Sequence, residues 1–398
     1  MKDLILSLGE GLTFAEYYDI KNNKSSIVLF KEVTLPQYNT YLKGLINAGF
    51  SLYAENRIND NRFATYITKE REVHLCFYPV FGELRVIGGV RGYLPETKAP
   101  DNTGDHPLTV SQMALASSDY EGGLSNVITL ADGSFVIIDG GKKNDANNNE
   151  LLEFLYAHKP ADHEKPHITA WLISHAHHDH IHLCQEFLLK YGDRVELSLF
   201  GYNFPDLASP WCAAEAAQLR WETRMIKILD EHFPNTKRWV MHTGQKLLLP
   251  GCEAEFLMTW EDFWPRPMKT TNQNSFCVRF TFKGGKTYLA TCDAWQDLVE
   301  PMTEVYGDYL KSDVLQAIHH GLAGGSIPFY QRVVPKIVLW PTGKQRFEAQ
   351  EPFTVPEREK PVAVIRQYKH SKWLLEHAEQ HYPTGKTVTI NMEDLSIL

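Results

Sequence analysis

The chain has 398 residues, 43% of them hydrophobic and 12% aromatic, which is enough apolar side chain for a large core and too much for a disordered polypeptide. A formal net charge of −9 at pH 7 disfavours a sequence-independent nucleic-acid binder, which needs a basic face. The length suggests two domains, or one large domain with an extension.

The N-terminus carries acids at Asp3 and Glu10 and no apolar run long enough for a signal peptide. No segment approaches the roughly 18 apolar residues of a membrane span, so a soluble, cytoplasmic protein is expected. Residues 1–95 read as a small α+β domain of unassigned role. The stretch 35–49 has helical spacing and stops at Gly49, and the runs RFATYIT, EVHLCFYPV and ELRVIGGV alternate with period two. Residues 96–107, rich in Pro, Asp and Asn, read as a linker. From 108 the pattern becomes strands alternating with helices. LTVSQMAL, NVITLADG, SFVIIDGG and HITAWLIS are strand-like, with a helix expected over about 146–158 and another over 179–191. LSLFGYN reads as a strand, 212–232 as a long helix closed by Pro234, and RWVMH, KLLL and AEFLMTW as strands. CVRFTFKGGKTYLATCDA reads as a hairpin with Gly-Gly at its turn. Helices are expected over 295–309, 326–334 and 370–380, separated by the strands DVLQAIHH and KIVLWP and followed by KTVTINM. Two alternating halves point to a layered α/β domain. The cysteines Cys76, Cys184, Cys212, Cys252, Cys277 and Cys292 are scattered without a CxxC pair and read as reduced, mostly buried thiols.

Chemistry concentrates in ISHAHHDHIH, residues 173–182. His175 and His177 follow an apolar strand and can turn toward one point, while Asp179 and His180 open a helix and can face a second. Imidazole nitrogen and carboxylate oxygen suit zinc and related ions. The spacing H-x-H-x-D-H after a buried strand therefore reads as a metal site rather than a solvated run. His178 and His182 fall off the pattern and read as supporting or surface groups.

These residues resemble the metallo-β-lactamase-fold hydrolases. The resemblance implies an α/β fold, an αββα metallo-β-lactamase sandwich preceded here by the small N-terminal α+β domain. One or two ions would sit at the ends of its two sheets, zinc first, with manganese or iron as alternatives. It assigns Asp139 of FVIIDGG to hydrogen-bonded support of the metal loop, and Asp293 of TYLATCDAW to a bridge between both ions. It assigns a late ligand to His319 or His320. His319 follows the apolar run directly and is favoured; His320 then shapes the pocket or handles protons. One histidine of the family pattern has no counterpart. The region 259–280 offers Asn274, or leaves the position to water, and His242 lies out of register. The second ion would thus have Asp179, His180, Asp293 and His319, and the first His175, His177 and Asp293. The run NQNSFCVRFTFKGGKTYLATCDA with the later IHHG is similar to the hydrolase domain of DNA-internalisation competence proteins and to phosphorylcholine esterases, over residues 108–398. It departs at Leu322, where the competence proteins carry serine, and it shows no basic stripe.

The resemblance implies a metal-dependent hydrolase using a metal-bound hydroxide on a phosphodiester-type small molecule. Asp293, Asp179 and His320 would act in the chemistry, and two ions would stand about 3.5–4 Å apart. Cleavage of a carboxylic ester, lactone or thioester is the alternative within the class, and a non-catalytic metal-binding interaction protein the alternative outside it. Gly321, Gly324 and Gly325 could bring backbone N–H groups to a phosphate. Trp211, Trp260, Trp264 and Tyr202 are candidates for a pocket mouth, with at least half of them expected in the core.

Overall fold

The computed structural model describes residues 1–21, 23–100, 104–115, 122–206, 216–356 and 359–398; Trp211 and Cys212 fall outside them. Its first sheet contains β1 (Thr13–Ile20), β2 (Ser25–Lys31), β3 (Ser51–Ile58), β4 (Asn61–Ile67), β5 (Arg71–Tyr78) and β6 (Glu83–Val90). They are antiparallel in the order β1-β2-β6-β5-β4-β3. The helices α1 (Lys2–Leu8) and α2 (Leu35–Asn47) cover one face of this sheet, around Val28, Phe30, Leu75 and Val86. The first three strands were not legible in the sequence. In β1 only Ile20 is fully buried, so no alternation is imposed on the strand.

The second sheet takes β7 (Thr109–Gln112), β8 (Asn126–Thr129), β9 (Phe135–Ile138), β10 (His167–Ile173), β11 (Glu196–Tyr202) and β12 (Lys237–Val240). The third takes β13 (Lys246–Leu249), β14 (Cys252–Met258), β15 (Cys277–Phe282), β16 (Thr287–Ala290), β17 (Val314–Gln316), β18 (Ile337–Trp340) and β19 (Gln380–Pro383). The last strand, β20 (Val388–Asn391), returns to the second sheet beside β7. Each of these two sheets has seven strands, antiparallel at one side and parallel at the other. β9 through β12 are parallel, and so are β16 through β19.

Strand alternation divides the core. From β9 and β10, Val136, Ile138, Ala170 and Leu172 face the third sheet's Phe256, Val278, Phe280 and Tyr288. The intervening Phe135, Ile137, Trp171 and Ile173 pack outward on α3 (Asp145–His158), α4 (His178–Tyr191) and α5 (Ala216–His232). Strands buried on both faces read as continuous apolar runs, as VIID and WLIS do. The outer face of the third sheet, with Leu257, Leu289, Leu315 and Val338, packs on α6 (Trp260–Phe263), α7 (Gln296–Tyr306), α8 (Ile327–Val333) and α10 (Lys369–His377), α9 (Lys344–Glu348) lying nearby. The expected αββα sandwich is therefore present. The same outer cluster includes Ile20, Ile27, Phe63, Tyr78 and Ile87, so the free face of the first sheet docks there.

The helix expected over 295–309 is α7 followed by a 3-10 turn, Gly307–Leu310, and the helix expected to reach 380 stops at His377 so that β19 can form. The five described cysteines are buried and free of disulfides. Among the described residues no helix is long and apolar enough to cross a membrane.

Candidate metal centre

In parallel sheets the groups that follow the strands collect in one crevice at the carboxyl ends. β9 runs into Asp139, β10 into Ser174 and His175, β16 into Asp293, and β17 into His319 and His320. The two sheets thus deliver their terminal residues to one place.

Asp139 ends β9 in the left-handed region at φ 56°. Its carboxylate is fully buried and accepts from the Ser174 amide, the Ser174 hydroxyl and His180 Nδ1, each at 2.7 Å. Gly140 then donates its amide to the His180 carbonyl at 2.7 Å. A Cβ at Gly140 would lie 2.7 Å from the Cys184 amide nitrogen, so only glycine lets this loop lie against α4. α4 begins with His177 as its N-cap residue, which places Asp179 in the first turn, where a negative charge is favoured.

Each inward histidine has its outer nitrogen tied. His175 Nδ1 meets the hydroxyls of Ser174 at 2.9 Å and Ser275 at 3.2 Å. His180 Nδ1 donates to Asp139, His319 Nδ1 to the Ala323 carbonyl at 3.0 Å, and His320 Nδ1 to the Pro341 carbonyl at 2.5 Å. Such contacts fix ring orientation and tautomer and leave Nε2 to face inward. All four Nε2 atoms then point at one oxygen. Asp293 Oδ2 lies 3.9 Å from His175, 3.1 Å from His180, 3.8 Å from His319 and 3.3 Å from His320. His320 Nε2 is also 3.2 Å from Asp179 Oδ2, and His175 Nε2 is 2.9 Å from His177 Nδ1.

Electrostatics follow from this crowding. Burial raises Asp293, but the charges of His180, His320 and His319 outweigh it and hold the carboxyl well below the usual range. Asp179 is likewise held low, burial being overcome by His320 and His180 beside it. Burial opposes the charged form of His180 and His320, yet Asp293 beside them pushes His180 well up and His320 to about 9. His175 is held well below its ordinary value by burial and by His180 and His177. His319 is lowered by burial, against the pull of Asp293.

Among the described residues two groups of atoms have the spacing of a cation site: His175, His177 and Asp293, and Asp179, His180 and His320, the ligating atoms of each lying within 4.8 Å of one another. Among the described residues, His180 Nε2, His320 Nε2 and Asp293 Oδ1 are buried without a hydrogen-bond partner. Such unpaired buried atoms cost about 1–3 kcal/mol each, and a cation among them removes that cost. Imidazoles and carboxylates without thiolate fit zinc, manganese or iron.

His175, His177, Asp179, His180, Asp293 and both late histidines lie together at this crevice. His320, which the sequence placed in a proton-handling role, sits in the second group. His319 sits beside it, 19% exposed, with its ring 5.2 Å from Trp295 and its Nε2 3.1 Å from Asn272 Nδ2. Asn274 lies in the same 3-10 turn, Thr271–Asn274, its Oδ1 buried without a partner, but Asn272 and Ser275 make the contacts to the histidines. The N-x-x-S spacing was the available signal: in a 3-10 turn residues i and i+3 share a face. His242 is elsewhere, its Nδ1 2.9 Å from both oxygens of Glu261 and its ring stacked on His74. His178 and His182 turn to Trp221 on α5. Trp260 and Trp264 line no mouth: they are 0% and 2% exposed in the core under the first sheet. Tyr202 packs on Phe200 and Phe204. Gly321 serves packing, since a Cβ there would meet the Trp340 ring at 2.5 Å.

No family model and no curated protein matches the chain. Among solved structures it is similar in fold to the metallo-β-lactamase fold protein YhfI from Bacillus subtilis, at 15% identity and TM-score 0.42 over 71% of this chain and 99% of that one. It is similar to CmlA, a diiron β-hydroxylase from Streptomyces venezuelae, at 15% identity and TM-score 0.41, covering 72% of this chain and 54% of that one, about half the hydroxylase's length. The short form of human tRNase Z matches at 14% identity and TM-score 0.34, over 59% of this chain and 92% of that one. At these identities and TM-scores none of the three bears on this chain's chemistry.

Proposed function

We propose that the chain is a metal-dependent hydrolase with two ion sites that share Asp293, acting on a small phosphodiester-type substrate. The observation that carries this is the convergence of four imidazole nitrogens within 3.1–3.9 Å of Asp293 Oδ2, two of them buried without a hydrogen-bond partner. His175, His177 and Asp293 would hold one ion; Asp179, His180 and His320, with Asp293 shared, would hold the other. Bound ions would bring the pKa of a water toward neutrality and stabilise the negative charge that develops on a substrate oxygen.

The protein's own groups set the geometry for this. Asp293 fixes the two groups relative to each other. Asp139 keeps the proton of His180 on Nδ1, and Ser174 and Ser275 orient His175. His319 takes the position at the opening, between Asn272 and Trp295, where it can meet a substrate or carry a proton to a departing oxygen. His319 and His320 thus exchange the roles assigned to them from strand register alone. The buried walls around Asp293, 2% exposed, exclude bulk water and strengthen each of these charges.

Support for a phosphodiester comes from the resemblance of NQNS and IHHG to phosphorylcholine esterases. Structural zinc sites are closed and often thiolate-rich, whereas the first group here has three donors and no cysteine. The test is hydrolysis of bis(p-nitrophenyl) phosphate against p-nitrophenyl acetate by zinc- and manganese-loaded protein, with and without chelator. Faster, chelator-sensitive turnover of the phosphate diester is expected. Preference for the acetate replaces the substrate class by carboxylic esters. Turnover of neither by metal-loaded protein favours a metal-binding interaction protein.

A further inference from the structure

A charged residue in the middle of a buried strand is costly unless it is fully paired. Arg85 on β6 is such a residue, 6% exposed. Its Nη2 donates to Glu83 at 2.8 Å, and its Nη1 donates to two backbone carbonyls, those of Glu261 at 2.9 Å and of Trp264. Those carbonyls belong to α6 and the residue after it. A helix of one turn cannot hold itself, and its last carbonyls have no partner within it. Arg85 supplies that partner from another sheet. Tyr78 on β5 adds a hydrogen bond at 2.6 Å to Asp262, whose other oxygen accepts the Thr259 amide at 3.1 Å.

The segment gripped in this way leads to the metal centre. After Trp264 the chain passes through the buried Met268 and reaches Thr270, which caps the 3-10 turn Thr271–Asn274. Gln273 ties this turn back to the Lys269 and Thr270 amides and across to Asp297 at 2.7 Å. The turn then sets Asn272 against His319 and Ser275 against His175. The same sheet also holds the far end of α7, the helix that follows Asp293: Asn59 and Asn61 donate to the Tyr306 and Val305 carbonyls, each at 2.8 Å.

We infer that Arg85 is a positioning residue for the metal centre: through the carbonyls of Glu261 and Trp264 it fixes the turn that orients His175 and His319, so the N-terminal sheet is a working part of the site. This rests on the metal centre proposed above. The test is titration of the metal-free full chain with Co²⁺ alone, followed by visible absorption. For Arg85→Met, with circular dichroism unchanged, the looser Co²⁺ is expected to bind about tenfold more weakly with an altered ligand-field band, while the tighter Co²⁺ keeps its affinity. Arg85→Lys is expected to restore part of both. Ser275→Ala, which leaves the interface intact and removes the turn's contact to His175, should alter the same band, and it carries the test should Arg85→Met fail to fold. A lowered melting temperature with an unchanged Co²⁺ spectrum would make Arg85 structural only and overturn the inference, as would an unchanged spectrum in Ser275→Ala. Wild-type protein that binds no Co²⁺ would instead remove the metal centre itself.

Discussion

Asp139→Asn isolates what a buried carboxylate contributes to a histidine it never lets reach solvent. The substitution keeps the side chain's size and one carbonyl oxygen but turns the other oxygen into an NH₂ donor. Asp139 now accepts three hydrogen bonds of 2.7 Å. The amide oxygen can keep the Ser174 amide, and the Ser174 hydroxyl can rotate to accept. His180 cannot rotate away. To meet an NH₂ group, Nδ1 must become an acceptor, which moves the ring proton to Nε2, the atom 3.1 Å from Asp293 Oδ2. A protonated Nε2 cannot ligate. Loss of such a supporting contact costs about 10–100-fold in metal affinity, or about 1.4–2.8 kcal/mol. The effect should fall on the tighter ion. The other group feels Asp139 only through the Ser174 hydroxyl, so its ion should weaken less. Competition for Zn²⁺ against a chromophoric chelator measures both affinities, with a melt of metal-free protein to show that the fold persists. Wild-type affinity for the tighter ion in Asp139→Asn would refute this account of His180.

His320→Ala should lower the zinc content measured by elemental analysis, while His319→Ala leaves it near wild type; the reverse returns the ligand role to His319. Metal titration of wild type should give one tight and one looser equivalent, since the second group adds two imidazoles and one carboxylate to the shared Asp293 whereas the first adds only His175 and His177; two equal affinities would contradict the division of ligands. His74 is pushed down to about 3 by burial and by neighbouring His242, so it is neutral in the fold but takes up a proton near pH 6.5 once unfolded. Its contribution to stability is therefore complete above about pH 6.5 and is lost as pH falls toward 3, with a slope of about 1.4 kcal/mol per unit. Urea unfolding of wild type and His74→Gln at pH 7 and pH 5 should show the difference between them shrinking by about 2 kcal/mol at the lower pH; a constant difference would sink the assignment.

Most of the site was legible because it lies where strands end. VIID and WLIS announce strands buried on both faces, and the polar residues that break those runs, Asp139 and His175, must face the crevice. The same holds for Asp293 after TYLA. The rule fails one step later. His319 and His320 adopt left-handed backbone, φ 46° and 60°, so strand alternation no longer says which ring turns inward. Left-handed backbone outside glycine costs about 1–3 kcal/mol and has no sequence signal in a histidine pair. Asn272 rather than Asn274 meets His319 because the chain makes a 3-10 turn there, which sets Asn272 on the same face as Ser275. Which of the aromatics are core, Trp260 and Trp264 among them, was not legible for a different reason. What covers them is a sheet built from residues 13–90, and packing between segments that far apart leaves no local pattern.

Zinc-edge anomalous scattering from a zinc-loaded crystal of the full chain bears on the central claim most directly. The account predicts anomalous peaks flanking Asp293 Oδ2, the stronger against Asp179, His180 and His320 and the weaker against His175 and His177. Zinc bound only away from Asp293, or no peak after loading, would contradict it.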